Sequence, residues 1–418
     1  MSDEFKWNLR QFALAKTLEK GPVANPFTPD KILQEVRCWL PKGEEEALKA
    51  IAGELNVMLN IGLIEITPIN NEPYFCLTEK GLKFVKFTED RLAQISSENK
   101  RWSEVTKKLT IEDLLKILVT TIKHDNINKL ITFLAMLTTY TEEAQINVSF
   151  RAPSSTGKSY IPIELSQYFP PEDVIMIAYS SPTSFYHDTG NWDNEKQAII
   201  INLERKILIF LDQPHDELLR RLRPLLSHDQ KELLYKITDK REKKGLRTKN
   251  VIIRGFPSVI FCTGSLKIDE QEATRNFILS PETSSEKIRE GIYLKALKKG
   301  NPIAFKEYLE QFPEREFLKE RIKEIKKANI KHIIVENVDD IVNEFQRRYP
   351  KLKPRHQRDI ERLISLIQAL ALLNLWYRKI VDGNLYANEE DVKVAFQLFD
   401  QIAESQELGI PPFIYKFL

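Results

Sequence analysis

Between residues 5 and 62 apolar side chains recur at helical spacing. Phe5, Leu9, Phe12 and Ala13 form one stripe, Ile32, Val36 and Leu40 a second, and Leu48, Ile51, Leu55, Met58 and Leu59 a third. Thr28 followed by Pro29 suits the start of the second helix, because the Thr oxygen accepts a first-turn amide and Pro has no amide to satisfy. The period then drops to two. Leu63-Ile64-Glu65-Ile66-Thr67 alternates, Asn70-Asn71 marks a turn, and Tyr74-Phe75-Cys76-Leu77-Thr78 reads as the return strand. Residues 89–108 are polar, centred on Ser96-Ser97-Glu98-Asn99-Lys100, and read as a linker or an exposed helix.

Three helices and a two-stranded hairpin, closed by Thr78-Glu79-Lys80-Gly81-Leu82, resemble a winged helix domain. Further on, Ile111, Leu114, Leu115, Ile117 and Leu118, then Ile127, Leu130, Ile131, Leu134 and Leu137, predict a pair of helices. Ile146-Asn147-Val148-Ser149-Phe150 alternates as a strand and runs directly into Ala152-Pro153-Ser154-Ser155-Thr156-Gly157-Lys158-Ser159, with a helix expected over residues 160–168. Apolar runs at residues 174–178, 206–211 and 258–262, separated by helical or looped segments, predict a parallel α/β sheet. From residue 284 the spacing is helical again and predicts a mostly α C-terminal region. The expected organisation is therefore a first domain over 1–90, a linker over 91–109, an α/β core over 110–283 and a helical region over 284–418.

With 42% hydrophobic, 10% aromatic and 29% charged residues in 418, the chain has the composition of a folded globular protein. Its 62 basic and 60 acidic residues leave a net charge of +2, which excludes a uniformly basic chromatin-type protein. The longest mostly apolar stretch, residues 363–377, is interrupted by Ser365, Gln368 and Asn374 and falls short of the ~18 residues of a membrane span, so no transmembrane helix is expected. Met1-Ser2-Asp3-Glu4-Phe5 lacks the features of a secretory signal, and an intracellular location is expected. Cys38, Cys76 and Cys262 lie far apart, with no Cys-x-x-Cys pair and no close pair among the six histidines, so neither a disulfide framework nor a zinc site is expected.

The strand, tight loop, Gly157-Lys158-Ser159 and helix form the context of a phosphate-binding loop. Its chemistry needs the backbone amides of Ser155, Thr156 and Gly157 around the phosphates, a mobile positive charge on Lys158 and a Ser159 hydroxyl for Mg²⁺, with Ser154 and Tyr160 flanking. Ala152 stands where Gly is usual. Residues 206–211 are an apolar strand ending in Asp212, the position expected of a second metal-organising acid in a P-loop ATPase. Gln213 follows, where hydrolysing members of that class usually carry Glu. An amide orients water but does not take its proton. Asp216 or Glu217 substitutes, or hydrolysis is slow, or a Glu has been deliberately replaced.

Charge is unevenly spread. Residues 231–254 hold nine basic and three acidic side chains, a local net charge of +6, in two predicted strands around Gly245. The tip residues Lys240, Arg241, Lys243, Lys244, Arg247 and Lys249 are candidates for contacting DNA phosphates, which gives salt-dependent affinity without reading sequence; the plainer possibility is a solvated turn.

This order of elements resembles the AAA+ module of minichromosome maintenance (MCM) replicative helicases, and of MCM-like ATPases from archaeal plasmids and viruses, over roughly residues 110–400. The resemblance implies a P-loop AAA+ parallel α/β sheet core with a helical lid, preceded here by the α+β winged helix. ATP and Mg²⁺ would be held by Lys158, Ser159 and Asp212. Thr263 or Ser265 falls where the family has a polar sensor. Arg275, in Glu272-Ala273-Thr274-Arg275-Asn276-Phe277, resembles the finger inserted into a neighbouring site, and Arg358, in Arg358-Asp359-Ile360-Glu361-Arg362, resembles the second sensor. Ala152, Gln213, a Thr or Ser in place of Asn, and a winged helix in place of a zinc-bearing oligonucleotide fold depart from the family, and fit a divergent relative from a mobile element. Two functions follow as expectations. One is a ring-forming, hexameric, ATP-driven DNA helicase or translocase in the cytoplasm of a prokaryote, associated with the nucleoid, a plasmid or a virus. The other is a nucleotide-dependent DNA-binding initiator or regulator that hardly hydrolyses ATP.

Overall fold

The computed structural model describes residues 8–19, 44–69, 72–178, 190–214, 216–228, 230–239, 247–264 and 274–408. The second apolar stripe with its Thr28-Pro29 start, the Asn70-Asn71 turn, Ser265 and residues 240–246 of the basic hairpin lie outside the described residues. The chain divides into two compact units, Met1–Ser103 and Glu104–Leu418.

In the first unit α1 (Leu9–Glu19) and α2 (Glu44–Asn60) precede an antiparallel hairpin of β1 (Ile64–Ile69) and β2 (Glu72–Leu77). The hairpin is paired from Ile64↔Leu77 to Ile69↔Glu72. Leu14, Leu18, Ile51, Leu55, Met58, Ile64 and Phe84 share one core, so the third predicted stripe is a face that packs, whereas α1 buries Leu14, Ala15 and Leu18, with Phe12 and Ala13 of its predicted stripe only partly buried against them. A helix, α3 (Glu79–Thr106), follows and takes up most of the polar stretch. Gly81 in its first turn is demanded by close approach, because a Cβ there would lie 2.1 Å from the Leu63 carbonyl oxygen.

The second unit opens with α4 (Ile111–Leu118), capped by Thr110, whose hydroxyl accepts the Asp113 amide at 3.1 Å, and α5 (Asn126–Leu137). There follow β3 (Asn147–Arg151), α6 (Tyr160–Ser166), β4 (Val174–Ile177), β5 (Asn191–Asp193), β6 (Ala198–Asn202), β7 (Ile207–Phe210) and α7 (Asp216–Leu226). Then come β8 (Glu232–Asp239), β9 (Arg247–Arg254), β10 (Ser258–Thr263), β11 (Asn276–Leu279) and α8 (Ser285–Gly300). The C-terminal part holds α9 (Pro302–Glu310), α10 (Glu314–Ala328), β12 (Ile333–Ile334), α11 (Val338–Arg348), α12 (His356–Leu373), β13 (Lys379–Val381), β14 (Asn384–Tyr386) and α13 (Glu389–Leu408).

The fold is α/β, built on a five-stranded parallel sheet in the order β11-β3-β10-β7-β4. β7 and β10 read as apolar runs because both faces are covered, whereas β3 alternates although all five of its residues are buried, and the edge strand β4 is only partly covered. Ile207, Ile209, Ile260 and Cys262 enter one core with α4, α5 and the C-terminal helices, whereas Leu208, Phe210, Val259 and Phe261 enter another with α7. Alternate side chains of one strand thus serve opposite layers. The Phe210 and Phe261 rings stack at 5.3 Å across adjacent strands. A second sheet, β5-β6-β9-β8, carries the basic hairpin, with β8 and β9 antiparallel from Glu232↔Arg254 to Asp239↔Arg247. A small sheet, β12-β14-β13, interrupts the C-terminal helices. No helix among the described residues is long and apolar enough to cross a membrane.

Candidate functional site

Residues 152–159 connect β3 to α6 at the carboxyl ends of the parallel strands, the end at which open α/β sheets bind ligands. The Ala152 amide donates to the Thr263 carbonyl at 3.4 Å, tying the start of the loop to β10. Thr156 Oγ1 donates to the Pro153 carbonyl at 2.9 Å, and the Gly157 carbonyl accepts the Tyr160 amide at 3.0 Å. Gly157 has φ +95°, and a Cβ there would meet nothing closer than Lys287 Nζ at 3.9 Å. Its glycine is therefore needed for conformation rather than for room. Ser155 holds φ +66° without that freedom, a conformation that costs an L-residue about 1–2 kcal/mol. Such strain concentrates where a loop is shaped for binding.

The end of the loop sits on β10. Cys262 Sγ donates to the Lys158 carbonyl at 3.5 Å. Burial pushes its thiol up to about 12, while a hydrogen bond with the Ser159 side chain and the charge of Lys158 act in the opposite direction. Asp212, exposed, lies two residues beyond β7, and its Oδ1 accepts the Gln213 amide at 2.8 Å. Thr263 Oγ1 donates to Gln213 Oε1 at 2.6 Å. The strand order causes this meeting: β10 lies between β3 and β7, so the loop after β3, the acid after β7 and the last residue of β10 arrive at one edge. A serine hydroxyl and a carboxylate are hard oxygen donors, the kind a small divalent cation accepts while keeping several waters.

Beside the loop lies a cavity of about 290 Å³, near the lower limit of small-molecule pockets at about 300 Å³. Ser154, Ser155, Thr156, Gly157 and Tyr160 line it, whereas Lys158, Ser159, Asp212 and Gln213 do not. Its other walls come from residues 121–125 before α5 and from one side of α8, including Lys287, Gly291 and Lys295. Tyr160 donates to the Thr121 carbonyl at 2.8 Å, and burial raises its hydroxyl well above the ordinary value. Lys287 and Asp125 form an ion pair in this wall. Neither they nor Cys262 carry a local sequence signal; each is an unremarkable residue until the fold brings it to the loop.

Arg275 donates from Nε to Ser227 Oγ, and with Arg151, Arg223, Gln213 and Thr263 it lines a small second cavity of about 30 Å³. Arg358 does not line the larger cavity; its guanidinium donates to Thr274 Oγ1, beside Arg275. Glu217 is ion-paired with Arg221. Of the hairpin residues, Lys240, Arg241, Lys243 and Lys244 lie outside the described residues, and Arg247 and Lys249 fall at the start of β9, where only the backbone is described. At the hairpin base Glu232 pairs with Lys196 at 2.8 Å and Arg254 at 2.5 Å, which hold its carboxyl below the ordinary range through hydrogen bonds, that from Lys196 first.

No family model and no curated protein matches the chain. Among solved structures, it is similar to a full-length MCM homolog from Methanopyrus kandleri, with a TM-score of 0.46 and 10% identity over 74% of this chain and 61% of that one. It is also similar to the SCCmec type IV Cch active helicase, with a TM-score of 0.33 and 12% identity over 72% of this chain and 52% of that one. The chain thus spans less than two thirds of the length of either structure.

Proposed function

We propose that the protein is an ATP-binding AAA+ ATPase of the MCM-like type that assembles into a ring, a hexamer in the family it resembles, and acts on DNA as a helicase or translocase in replication of a genome or mobile element. The observation that carries this is the strand order β11-β3-β10-β7-β4, which gathers the phosphate loop, Asp212, Gln213 and Thr263 at one sheet edge. The nucleoside would occupy the 290 Å³ cavity and the phosphates would lie along residues 154–158. Ser159 and Asp212 would hold Mg²⁺, which when bound neutralises phosphate charge. Lys158 would meet the outer phosphates with its mobile positive charge. Gln213, positioned by Thr263, orients the attacking water. Phosphoryl transfer needs mainly such positioning and charge neutralisation.

Arg275, bonded to Ser227, would be the finger that meets a neighbouring subunit's phosphates, and Arg358, bonded to Thr274, the second sensor. The hairpin of β8 and β9 would present its basic tip to DNA, while Glu232 neutralises charge at its base. The first unit would be a winged helix that contributes DNA or protein contacts.

The second reading, a nucleotide-dependent DNA-binding initiator or regulator, is favoured by Gln213 itself, an amide with no capacity to take a proton at the water-activating position. ATP turnover measured with and without single-stranded DNA tests both readings. Stimulation by DNA, lost in Lys158→Ala, is expected for the helicase; ATP binding with negligible turnover in either condition refutes it and leaves the switch.

A further inference from the structure

Lys158 is one of two lysines at the phosphate loop. Lys287, in the first turn of α8, donates to the Glu282 carbonyl at 2.7 Å and reaches the Thr156 carbonyl at 3.5 Å. Its ammonium is also the nearest group to the open side of Gly157, at 3.9 Å from the position of a Cβ. Its counter-ion is Asp125, fully buried and fixed. Asp125 Oδ1 accepts from Asn128 Nδ2 at 2.8 Å and from the Glu282 amide at 2.7 Å, and its own backbone stands at φ +54°. Both residues line the cavity together with the loop.

An ammonium has three N–H donors. One is well used, by the Glu282 carbonyl, and one falls to the ion pair with Asp125, whose Oδ2 has no hydrogen-bond partner among the described residues. The third reaches toward the Thr156 carbonyl at 3.5 Å, a distance where a hydrogen bond is weak. We infer that Lys287 is a second phosphate-binding lysine, which keeps Asp125 and turns its third N–H from the Thr156 carbonyl to a phosphate oxygen of a nucleoside diphosphate or triphosphate in the cavity. This deepens the nucleotide-binding proposal and rests on it. Because the cavity reaches residues 154–157 and not Lys158, Lys287 serves the inner end of the phosphate chain and Lys158 the outer end.

The two roles separate by sign. A fastening pair is broken alike from either side. A phosphate ligand loses affinity when Lys287 is neutralised, but gains it when Asp125 is neutralised, because the ammonium is then no longer shared with a carboxylate. ADP titrations of the full chain with Lys287→Gln and Asp125→Asn decide between them. Gln keeps a polar amide in place of the ammonium, and Asn keeps an oxygen to accept the Glu282 amide, so both changes remove the charge of the ion pair. The dissociation constant for ADP is expected to rise about tenfold in Lys287→Gln, the worth of one charge-assisted hydrogen bond, and to fall severalfold in Asp125→Asn. Lys287→Arg, which keeps charge and pair, should remain within about threefold of the unaltered protein. Weaker binding in both neutralised variants, or no change in either, overturns the assignment while leaving nucleotide binding intact. Failure of the unaltered protein to bind ADP refutes the nucleotide proposal itself, and this assignment with it.

Discussion

Replacing Gln213 by Glu tests the candidate site at its least conventional residue. Thr263 Oγ1 donates to Gln213 Oε1 at 2.6 Å, and Thr263 is 2% exposed at the end of a buried strand. A Glu oxygen accepts the same bond, made stronger by its charge, so the new side chain stays where the amide is. What changes is the capacity to take a proton. An amide has none near neutral pH, whereas a Glu of ordinary pKa, about 4.3, is ionised there. A positioned general base contributes about 10² to 10⁴ in rate, or about 2.7 to 5.5 kcal/mol of barrier. Donation from Thr263 lowers the basicity of the carboxylate, which places the expected gain at the lower end, about 10². The assay is ATP turnover at saturating Mg²⁺ and ATP, with the ATP dissociation constant measured in parallel. The gained activity should fall as the pH drops through the carboxylate pKa, and it should shrink when Thr263→Val is added. Turnover that rises less than about threefold, with affinity unchanged, refutes the assignment of Gln213 to the water-orienting position.

Three further outcomes are expected. Arg275→Ala should leave nucleotide affinity near normal and abolish turnover, and mixing it with Lys158→Ala should restore some activity through interfaces with one intact half-site from each chain; normal turnover by Arg275→Ala alone removes the finger. Changing Lys243 and Lys244 to Ala should weaken binding to all single-stranded DNA sequences alike and flatten the slope of log affinity against log salt by about 1.4, at about 0.7 per lost phosphate contact, and an unchanged slope reduces the hairpin to a solvated turn. Lys129 is fully buried and donates to the Ile122 carbonyl at 3.1 Å, and burial lowers its pKa from 10.5 to about 8. The unfolded chain therefore holds this proton at pH values where the folded chain has lost it, so its contribution to stability rises from about pH 8 to about pH 10.5, by up to about 3 kcal/mol. Urea unfolding of the unaltered protein and Lys129→Met at pH 7.5 and pH 10 checks this; a difference between the two that does not change with pH contradicts it.

What the sequence determined by itself is what depends on neighbours along the chain. The stripe Leu48, Ile51, Leu55 needs only a helical repeat, and β3, the phosphate loop and α6 follow one another without interruption. Asp212 was legible because an apolar run ends in a carboxylate, and the hairpin because basic residues cluster around Gly245. β6 is written in the run Ala198-Ile199-Ile200-Ile201, whereas β5 and the short β11 have no comparable signal. Residues 276–279 are buried on both sides and show no alternation, so only pairing with β3 makes them a strand. The tertiary structure alone decided which strand ends meet. Gln213 finds Thr263, and Ser159 finds Cys262, because β10 is inserted between β3 and β7, an order that no local periodicity specifies. Asp125 and Lys287 become a pair only when α8 returns to the wall of the cavity. Periodicity records which face of an element is covered; it holds no information about which element covers it, and at this site that second fact assembles the chemistry.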